Sequence, residues 1–435
     1  MTDSQQASMS KPTPPRFTSL AEWLAWQETL HPNAIDLGLE RIAAVAEDLG
    51  LLKPACPVIT VAGTNGKGSS VALLEAMLRA AGYHVGAYTS PHLLRYNERI
   101  RIDGAMVTDA DLCTVFAQLD AVRGERSLTY FEFGTLAALQ WFADADLDVM
   151  VLEVGLGGRL DAVNILDADV ALVTAIDIDH SAWLGDDRDS IGREKAGIFR
   201  AGRPAVCGDP APPASVPATA QALSALWYGR DEAYGYRHGE QDWTWWGRGR
   251  EYPGLPLPVL PGDHQLDNAA AVIQALVCLE ARLPVPRAAL EQGLREVSLA
   301  GRFQRLPGAV ERVLDVAHNP QGGRVLARTL AAQPVAGQTH LVLAMLADKD
   351  VDAFVAPLLP RVDHWYLGGL APPRGLSAQA LRERLATRLP EGGVTLAGDV
   401  PAAYRTAMAQ ARPGDRVVVS GSFHTVAEVM AVLES

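Results

Sequence analysis

The run "PVITVAGTNGKGSSVALLEAMLRAAG", residues 57–82, constrains the fold more than any other part of the chain. Its first seven residues are short and β-rich. Residues 69–81 carry apolar positions at helical spacing, and Gly82 stands where a helix stops. A strand that empties through a glycine turn into a helix is the first half of a βαβ unit, and such units build parallel sheets. Backbone amides in a glycine turn at a helix N-terminus form an anion cradle. Gly63, Gly66 and Gly68 let the backbone approach phosphate oxygens, Lys67 adds a point charge, and Ser69 offers a hydroxyl to phosphate or metal. The common phosphate loop puts that hydroxyl directly after the lysine, and here Gly68 intervenes. A tight βα turn without a ligand would need the glycines, but neither the lysine nor the hydroxyls.

"HVGAYTS" reads as the next strand, and "LDVMVLEVG" (147–155) and "ADVALVTAI" (168–176) as two further, buried strands. The latter two are nearly continuous apolar runs with polar ends, the pattern of strands covered on both faces. Ligands of such sheets bind beyond the carboxyl ends of the strands. Thr89, Ser90, Glu153, residues 177–180 and the glycine loop all fall at such ends. Glu153 there is either a Mg²⁺ ligand or a turn carboxylate. His180 can face the same metal, although a lone histidine is more often structural. The charged stretch "SPHLLRYNERIRID" (90–103) reads by itself as solvated, and the Glu194-Lys195 pair of "GREKAGIFRAGRP" as a surface ion pair.

At 435 residues the chain exceeds one hydrophobic core, so two domains are expected. The boundaries read as a disordered lead-in (1–19), a first domain (20–298) and a smaller α/β domain (299–435). The expected fold is α/β: a phosphate-loop-type parallel-sheet ATPase domain followed by a Rossmann-like one. Residues 209–261, rich in proline and carrying Trp243, Trp245 and Trp246, read as an antiparallel excursion or a set of loops. In the second domain "LDVAHNP" places Asp315 and His318 after a strand. Asp315 either binds a ribose hydroxyl or is a turn residue beside a helix-capping Asn319. The net charge of -13 argues against non-specific binding to nucleic acid or to an anionic membrane. Four dispersed cysteines with no CxxC pair suit free thiols in a reducing cytoplasm. The first sixteen residues lack the apolar core of a signal peptide, and no run is long and apolar enough to span a membrane.

Seven motifs, "GTNGKGS", "SPHLLRYNERI", "LEVGLGGRLDA", "REKAGIF", "PGDHQLDNAA", "GRFQ" and "DVAHNP", follow in this order. Together they resemble the dihydrofolate synthase/folylpolyglutamate synthase family of Mur-type ligases, over about residues 36–426 without 208–258. The resemblance implies an ATP-dependent ligase that adds L-glutamate to dihydropteroate and to tetrahydrofolates through an acyl phosphate. It implies that Gly63, Thr64, Asn65, Gly66, Lys67, Gly68 and Ser69 cradle ATP, with Asn268, Arg302 and Asp315 as further ATP contacts. Ser90, Glu153 and His180 would hold Mg²⁺, and Lys195, as a carbamate (N6-carboxylysine), would reach a second Mg²⁺. Lys67, Lys195 and His318 would carry the chemistry, with His318 and Ser422 of "SGSF" near the incoming glutamate. Thr29, Leu30, His31 and Pro32, Thr129 and Phe131 of "SLTYFEFGT", and Leu160, Asp161 and Ala162 would meet the pterin substrate. The chain departs from the family at Ser181-Ala182, where many members have Thr-Asp. A folylpolyglutamate synthase without the first activity, a cell-wall Mur ligase and a nucleotide-binding switch are the rival readings. The resemblance makes a cytoplasmic monomer without nucleic-acid or membrane partners the expectation.

Overall fold

The computed structural model describes residues 16–371, 374–389 and 392–434. Most of the expected lead-in lies outside them. Order begins earlier than Leu20: Phe17 packs edge-on against Trp23 at 5.3 Å, and Ser19 caps the helix Leu20–Gln27 in a capping box with Glu22.

Eight strands form the first sheet: β1 (Val58–Ala62), β2 (Val85–Tyr88), β3 (Ile100–Ile102), β4 (Ala105–Met106), β5 (Val149–Glu153), β6 (Val170–Val173), β7 (Pro204–Cys207) and β8 (Leu226–Gly229). Their order is β4-β3-β2-β5-β1-β6-β7-β8. From β2 to β8 the pairing is parallel, while β3, at the end of the stretch read as charged and solvated, and β4 just after it add an antiparallel edge. Every residue of β1 and β5 is buried. Val58 and Ala62 enter one core with Phe116 and Phe133. Ile59 and Val61 enter the other with Leu74, Met77 and Ile273. Alternation along one strand thus feeds two helical layers. The chain runs from β1 toward β2 and later crosses to β6 on the other side. The mouth of β1 is therefore a switch point of the kind that binds ligands.

Residues 209–261 contain the helix Ser215–Ala222, the parallel strand β8 and an antiparallel meander. The meander is β9 (Tyr234–His238), β10 (Asp242–Gly247) and β11 (Arg250–Pro256), in the order β11-β10-β9. Trp243 and Trp245 are fully buried, and the Trp245 Nε1–H donates to the Ala270 carbonyl at 3.1 Å. The meander thereby braces the helix His264–Cys278.

The second sheet contains β12 (Gln304–Leu306), β13 (Glu311–Leu314), β14 (Thr339–Leu343), β15 (His364–Leu367), β16 (Val394–Leu396) and β17 (Arg416–Ser420). Its order is β12-β13-β17-β14-β15-β16, all parallel except β12 at the edge. Among the described residues no helix is long and apolar enough to cross a membrane.

Candidate functional site

The glycine loop leaves β1 in left-handed backbone. Gly63 has φ 150° and Gly66, capping the helix Lys67–Ala80, has φ 91°. A Cβ at Gly63 would stand 1.8 Å from Thr174 Oγ1, and one at Gly66 2.6 Å from Asn268 Oδ1, so both positions exclude side chains. Thr174 Oγ1–H in turn donates to the Asn65 carbonyl at 2.7 Å. Thr64 is held across the same gap, its Oγ1–H donating to the Asp177 carbonyl at 2.9 Å. Lys67 folds back over the loop and donates Nζ–H to the Gly63 carbonyl at 3.0 Å. Behind the loop, Ser69 is buried and accepts from Gln265 Nε2 at 3.3 Å. Gln265 Oε1 accepts from Asn268 Nδ2 at 3.0 Å.

Glu153 closes β5, level with Val61 of β1. It is 4% exposed, and its carboxylate accepts from the Ser90 backbone N–H at a long 3.4 Å. Burial raises its pKa, opposed mainly by the charges of Lys67 and Arg302. A Cβ at Gly68 would lie 3.5 Å from Arg302 Nη2 and 3.8 Å from Glu153 Oε2, so cation and carboxylate flank the loop's helix start. Such a buried, lightly bonded carboxylate suits a divalent cation. His180 lies at the rim, exposed, in left-handed backbone (φ 53°) before the short helix Ser181–Leu184. Among the described residues no three His, Cys, Asp or Glu side chains group as a metal site. Of the three expected Mg²⁺ ligands, Ser90 and Glu153 are joined by the backbone contact, and His180 stands apart at the rim.

Lys195 makes no surface ion pair. It is 4% exposed near the end of the helix Arg188–Ala196, and Glu194 instead pairs with Arg159 at 2.9 Å. Burial, reinforced by Lys67, pushes the Lys195 amine down to about 7, against the pull of Asp179 and Asp161. A Cβ at Gly158 would stand 2.7 Å from the Glu194 carbonyl, so only glycine lets this loop lie on the helix end.

Across the crevice, Asp315 accepts from the Phe303 N–H at 2.8 Å and the Ala317 N–H at 2.9 Å. Arg302 stacks on Phe423, 5.2 Å from its ring centre. His318 Nε2 lies 3.5 Å from Asp179 Oδ2. Asp179 also binds Lys349 Nζ at 2.6 Å and accepts from Asn319 Nδ2 at 3.0 Å. Burial would raise the Asp179 pKa, but the His318 hydrogen bond and the charges of His180 and Lys349 hold it well below the usual carboxylate range. Ser422, expected near glutamate, is 3% exposed and uses its hydroxyl on Thr425, at 2.7 Å from Oγ1 and 3.0 Å from the backbone N–H. That hydroxyl fixes the start of the helix Phe423–Glu434.

The segment expected to meet the pterin begins a helix, Tyr130–Ala143. Thr129 is its cap, in a capping box with Glu132. Glu132 binds Arg41 at 3.0 Å, and Arg41 binds Asp36 at 2.6 Å. His31 Nε2 lies 3.4 Å from the same Asp36, so the turn of Thr29, Leu30, His31 and Pro32 is tied to that helix. The Phe131 ring lies against Gly155, where a Cβ would stand 2.5 Å away, and next to Tyr88, with ring centres 6.0 Å apart. Leu160, Asp161 and Ala162 follow on the same glycine-rich loop. Asp161 accepts from Leu156 N–H at 2.8 Å and Val163 N–H at 3.1 Å, and burial pushes it up to about 7. The neighbouring 90–103 stretch is not a solvated face. Glu98 accepts from three backbone amides, of Leu93, Leu94 and Arg95, each at 2.7 Å. Arg99 is buried over the rings of Tyr96 and Tyr130.

Lys349 and Gln265 were not among the expected site residues, and Asp179 was placed at a strand end without a role. Each stood in a visible context: "DIDH" after β6, "ADKD" after β14 and "DHQLDN" before Asn268. The strand-end argument extends to Lys349. Gln265 is legible only from its contacts.

Comparison with known proteins agrees with this geometry. The Mur ligase middle domain matches residues 61–276, and the Mur ligase glutamate ligase domain matches 301–423. The Escherichia coli (strain K12) dihydrofolate synthase/folylpolyglutamate synthase is 46% identical over 98% of both chains. A structure of E. coli FolC in complex with DHPP and ADP covers 97% of this chain and 99% of its own, with TM-score 0.92 and 46% identity. A bifunctional folylpolyglutamate synthase/dihydrofolate synthase with Mn, AMPPNP and L-glutamate bound covers 97% and 100%, with TM-score 0.90 and 50% identity. The chain belongs to the Mur ligase family of ATP-dependent ligases, and within it to the dihydrofolate synthase/folylpolyglutamate synthases.

Proposed function

We propose that this chain joins L-glutamate to dihydropteroate, giving dihydrofolate, and to tetrahydrofolates, giving folylpolyglutamates, with cleavage of ATP to ADP. The observation that carries the reading is the convergence at Gly68, where the phosphate loop, the lightly bonded Glu153 and Arg302 of the second sheet meet. The ADP, DHPP, AMPPNP, Mn and L-glutamate held by the structural relatives support it.

A carboxylate is a poor electrophile. The γ-phosphoryl group of ATP is therefore transferred to the acceptor carboxylate as an acyl phosphate. The glutamate α-amine attacks the carbonyl carbon, and inorganic phosphate leaves from the tetrahedral intermediate. Catalysis is then positioning plus stabilisation of developing charge. Lys67 and the amides of Gly63, Thr64, Asn65, Gly66, Gly68 and Ser69 bind the phosphates. Asn268, Arg302 and Asp315 hold the rest of the nucleotide. Ser90, Glu153 and His180 hold Mg²⁺, which when bound neutralises charge on the transferring group. Lys195, as a carbamate, would hold a second Mg²⁺. Its burial and depressed pKa favour the neutral amine that reacts with CO₂. His318 faces the incoming glutamate. Thr29, Leu30, His31, Pro32, Thr129, Phe131, Leu160, Asp161 and Ala162 line the pterin side. Domains 20–298 and 299–435 close around the reactants and keep water from the acyl phosphate. The protein acts as a monomer in a reducing cytoplasm, where its four free cysteines stay reduced.

The test is glutamate-dependent ADP release with dihydropteroate and, separately, with tetrahydrofolate. Both acceptors are expected to support it. Turnover with tetrahydrofolate alone would restrict the chain to polyglutamate extension, and ADP release indifferent to glutamate would reject the ligase reading.

A further inference from the structure

We propose that Asn319 is a positioning residue that couples the seating of the second sheet to the geometry of the phosphate loop. Asn319 follows β13, caps the helix Pro320–Ala332 and is 1% exposed. A primary amide offers two donors and two acceptor sites, and here all four are used. Oδ1 accepts from the Gly322 N–H at 2.9 Å and from Asn65 Nδ2 at 3.0 Å. Nδ2 donates to Asn65 Oδ1 at 3.1 Å and to Asp179 Oδ2 at 3.0 Å. Only the first of these is a helix cap. The other three cross to the first sheet.

What they reach gives the residue its role. Asn65 lies within the phosphate loop, two residues from Lys67, and its Nδ2 also donates to Gln321 Oε1 at 2.6 Å. Asp179 directly precedes His180 and is locked to Lys349 at 2.6 Å. One side-chain amide from the sheet that brings Arg302 and His318 therefore fixes two loops of the other sheet, the phosphate loop and the loop that carries His180. When the second sheet is seated, Asn65 is held in a reciprocal amide pair. Without that contact the Asn65 side chain keeps only its bond to Gln321, and the loop backbone keeps its braces to Thr174, Ala175 and Asp177. Reading this as control of turnover rests on the ligase reaction proposed above.

Capping and positioning are separable. Aspartate caps a helix as well as asparagine, and serine nearly so. Asn319→Asp keeps the cap oxygen, removes both donors and sets a carboxylate against Asp179. Asn319→Ser keeps a cap too short to cross. Melting temperature, kcat and the KM for ATP would be measured for both. The expected result is a melting temperature close to wild type in Asn319→Ser and lower in Asn319→Asp, where a second carboxylate meets Asp179, with kcat lowered about 10- to 100-fold in both and a smaller change in KM. Asn65→Ala combined with Asn319→Asp is expected to cost no more than the larger single change, because the two residues act as one unit. Hydrogen exchange of the peptide spanning residues 60–70 needs no turnover and is expected to quicken in Asn319→Asp. Wild-type kcat together with wild-type exchange in that variant would overturn the proposal. So would a loss of kcat that follows an equal loss of stability in both variants, which a purely structural role explains. A wild-type protein that ligates no glutamate would instead reject the reaction, and the exchange measurement would still decide the role of Asn319.

Discussion

The mouths of the two sheets face one another, and both bury carboxylates there, but they use them differently. Asp315, after β13, binds two backbone amides at 2.8 and 2.9 Å, and Asp161 does the same on its loop. Glu153, at the end of β5, receives one long N–H contact of 3.4 Å, with Lys67 and Arg302 as its nearby charges. All three are pushed up by burial. A carboxylate that accepts two amides organises its own loop and is held in one orientation. One faced mainly by cations is costly to bury and is stabilised by a ligand of opposite charge. Glu153 thus leaves the first sheet's mouth to be completed by substrate and metal, while Asp161 beside it and Asp315 in the second sheet's mouth hold their loops in shape.

The sharpest way to break this contrast is Glu153→Gln. Activity should fall by about a thousandfold, while the melting temperature stays level or rises because a buried charge is gone. A loss of stability comparable to that of Asp315→Asn would erase the distinction. Lys195→Ala should lose about a hundredfold, with partial recovery in formate or acetate. The intact wild-type protein should gain the mass of one CO₂ in bicarbonate with Mg²⁺. A variant that keeps its activity, or one that short carboxylates leave unaided, would argue against the carbamate. Asp315→Asn should cost about 1–3 kcal/mol in chemical denaturation, because an amide N–H₂ would face a backbone donor. An unchanged midpoint would show that its two amide bonds do not hold the loop.

The smallest effect concerns pH. The Asp161 carboxyl sits at about 7 in the folded protein, against 3.8 for an ordinary carboxylate. Between those values the folded chain keeps a proton that the unfolded chain has lost. Its contribution to stability is therefore full below the lower value and is lost as pH rises through the upper one. The fall in melting temperature from acid to neutral pH should be shallower in Asp161→Asn than in wild type. Equal slopes would mean that Asp161 does not titrate in this window.

Much of the first mouth was legible because it rests on local rules. Buried strands of the "VLEVG" type end in Glu153, and the glycines at 63 and 66 answer to backbone conformation. What escaped depends on the approach of distant segments. Lys195 reads as half of a surface ion pair until the helix Arg188–Ala196 is seen to turn it inward, under the loop at Gly158. Arg99 and Glu98 look solvated until aromatic rings and backbone amides close over them. The bond between the Ser422 and Thr425 hydroxyls likewise shows only in the fold. Asn319 showed its cap in sequence. Its three crossing bonds depend on Asn65 and Asp179, which lie 254 and 140 residues away along the chain.

The central claim is that the first mouth, completed by the second, transfers phosphate to a pterin-linked carboxylate and then glutamate to the acyl phosphate. The most direct test is a coupled assay of ADP release with dihydropteroate, ATP and Mg²⁺, with and without L-glutamate, in wild type and Lys67→Ala. ADP should appear in step with dihydrofolate only when glutamate is present, and Lys67→Ala should all but abolish it. Near-normal turnover in Lys67→Ala, or ADP release without dihydrofolate, would contradict the account.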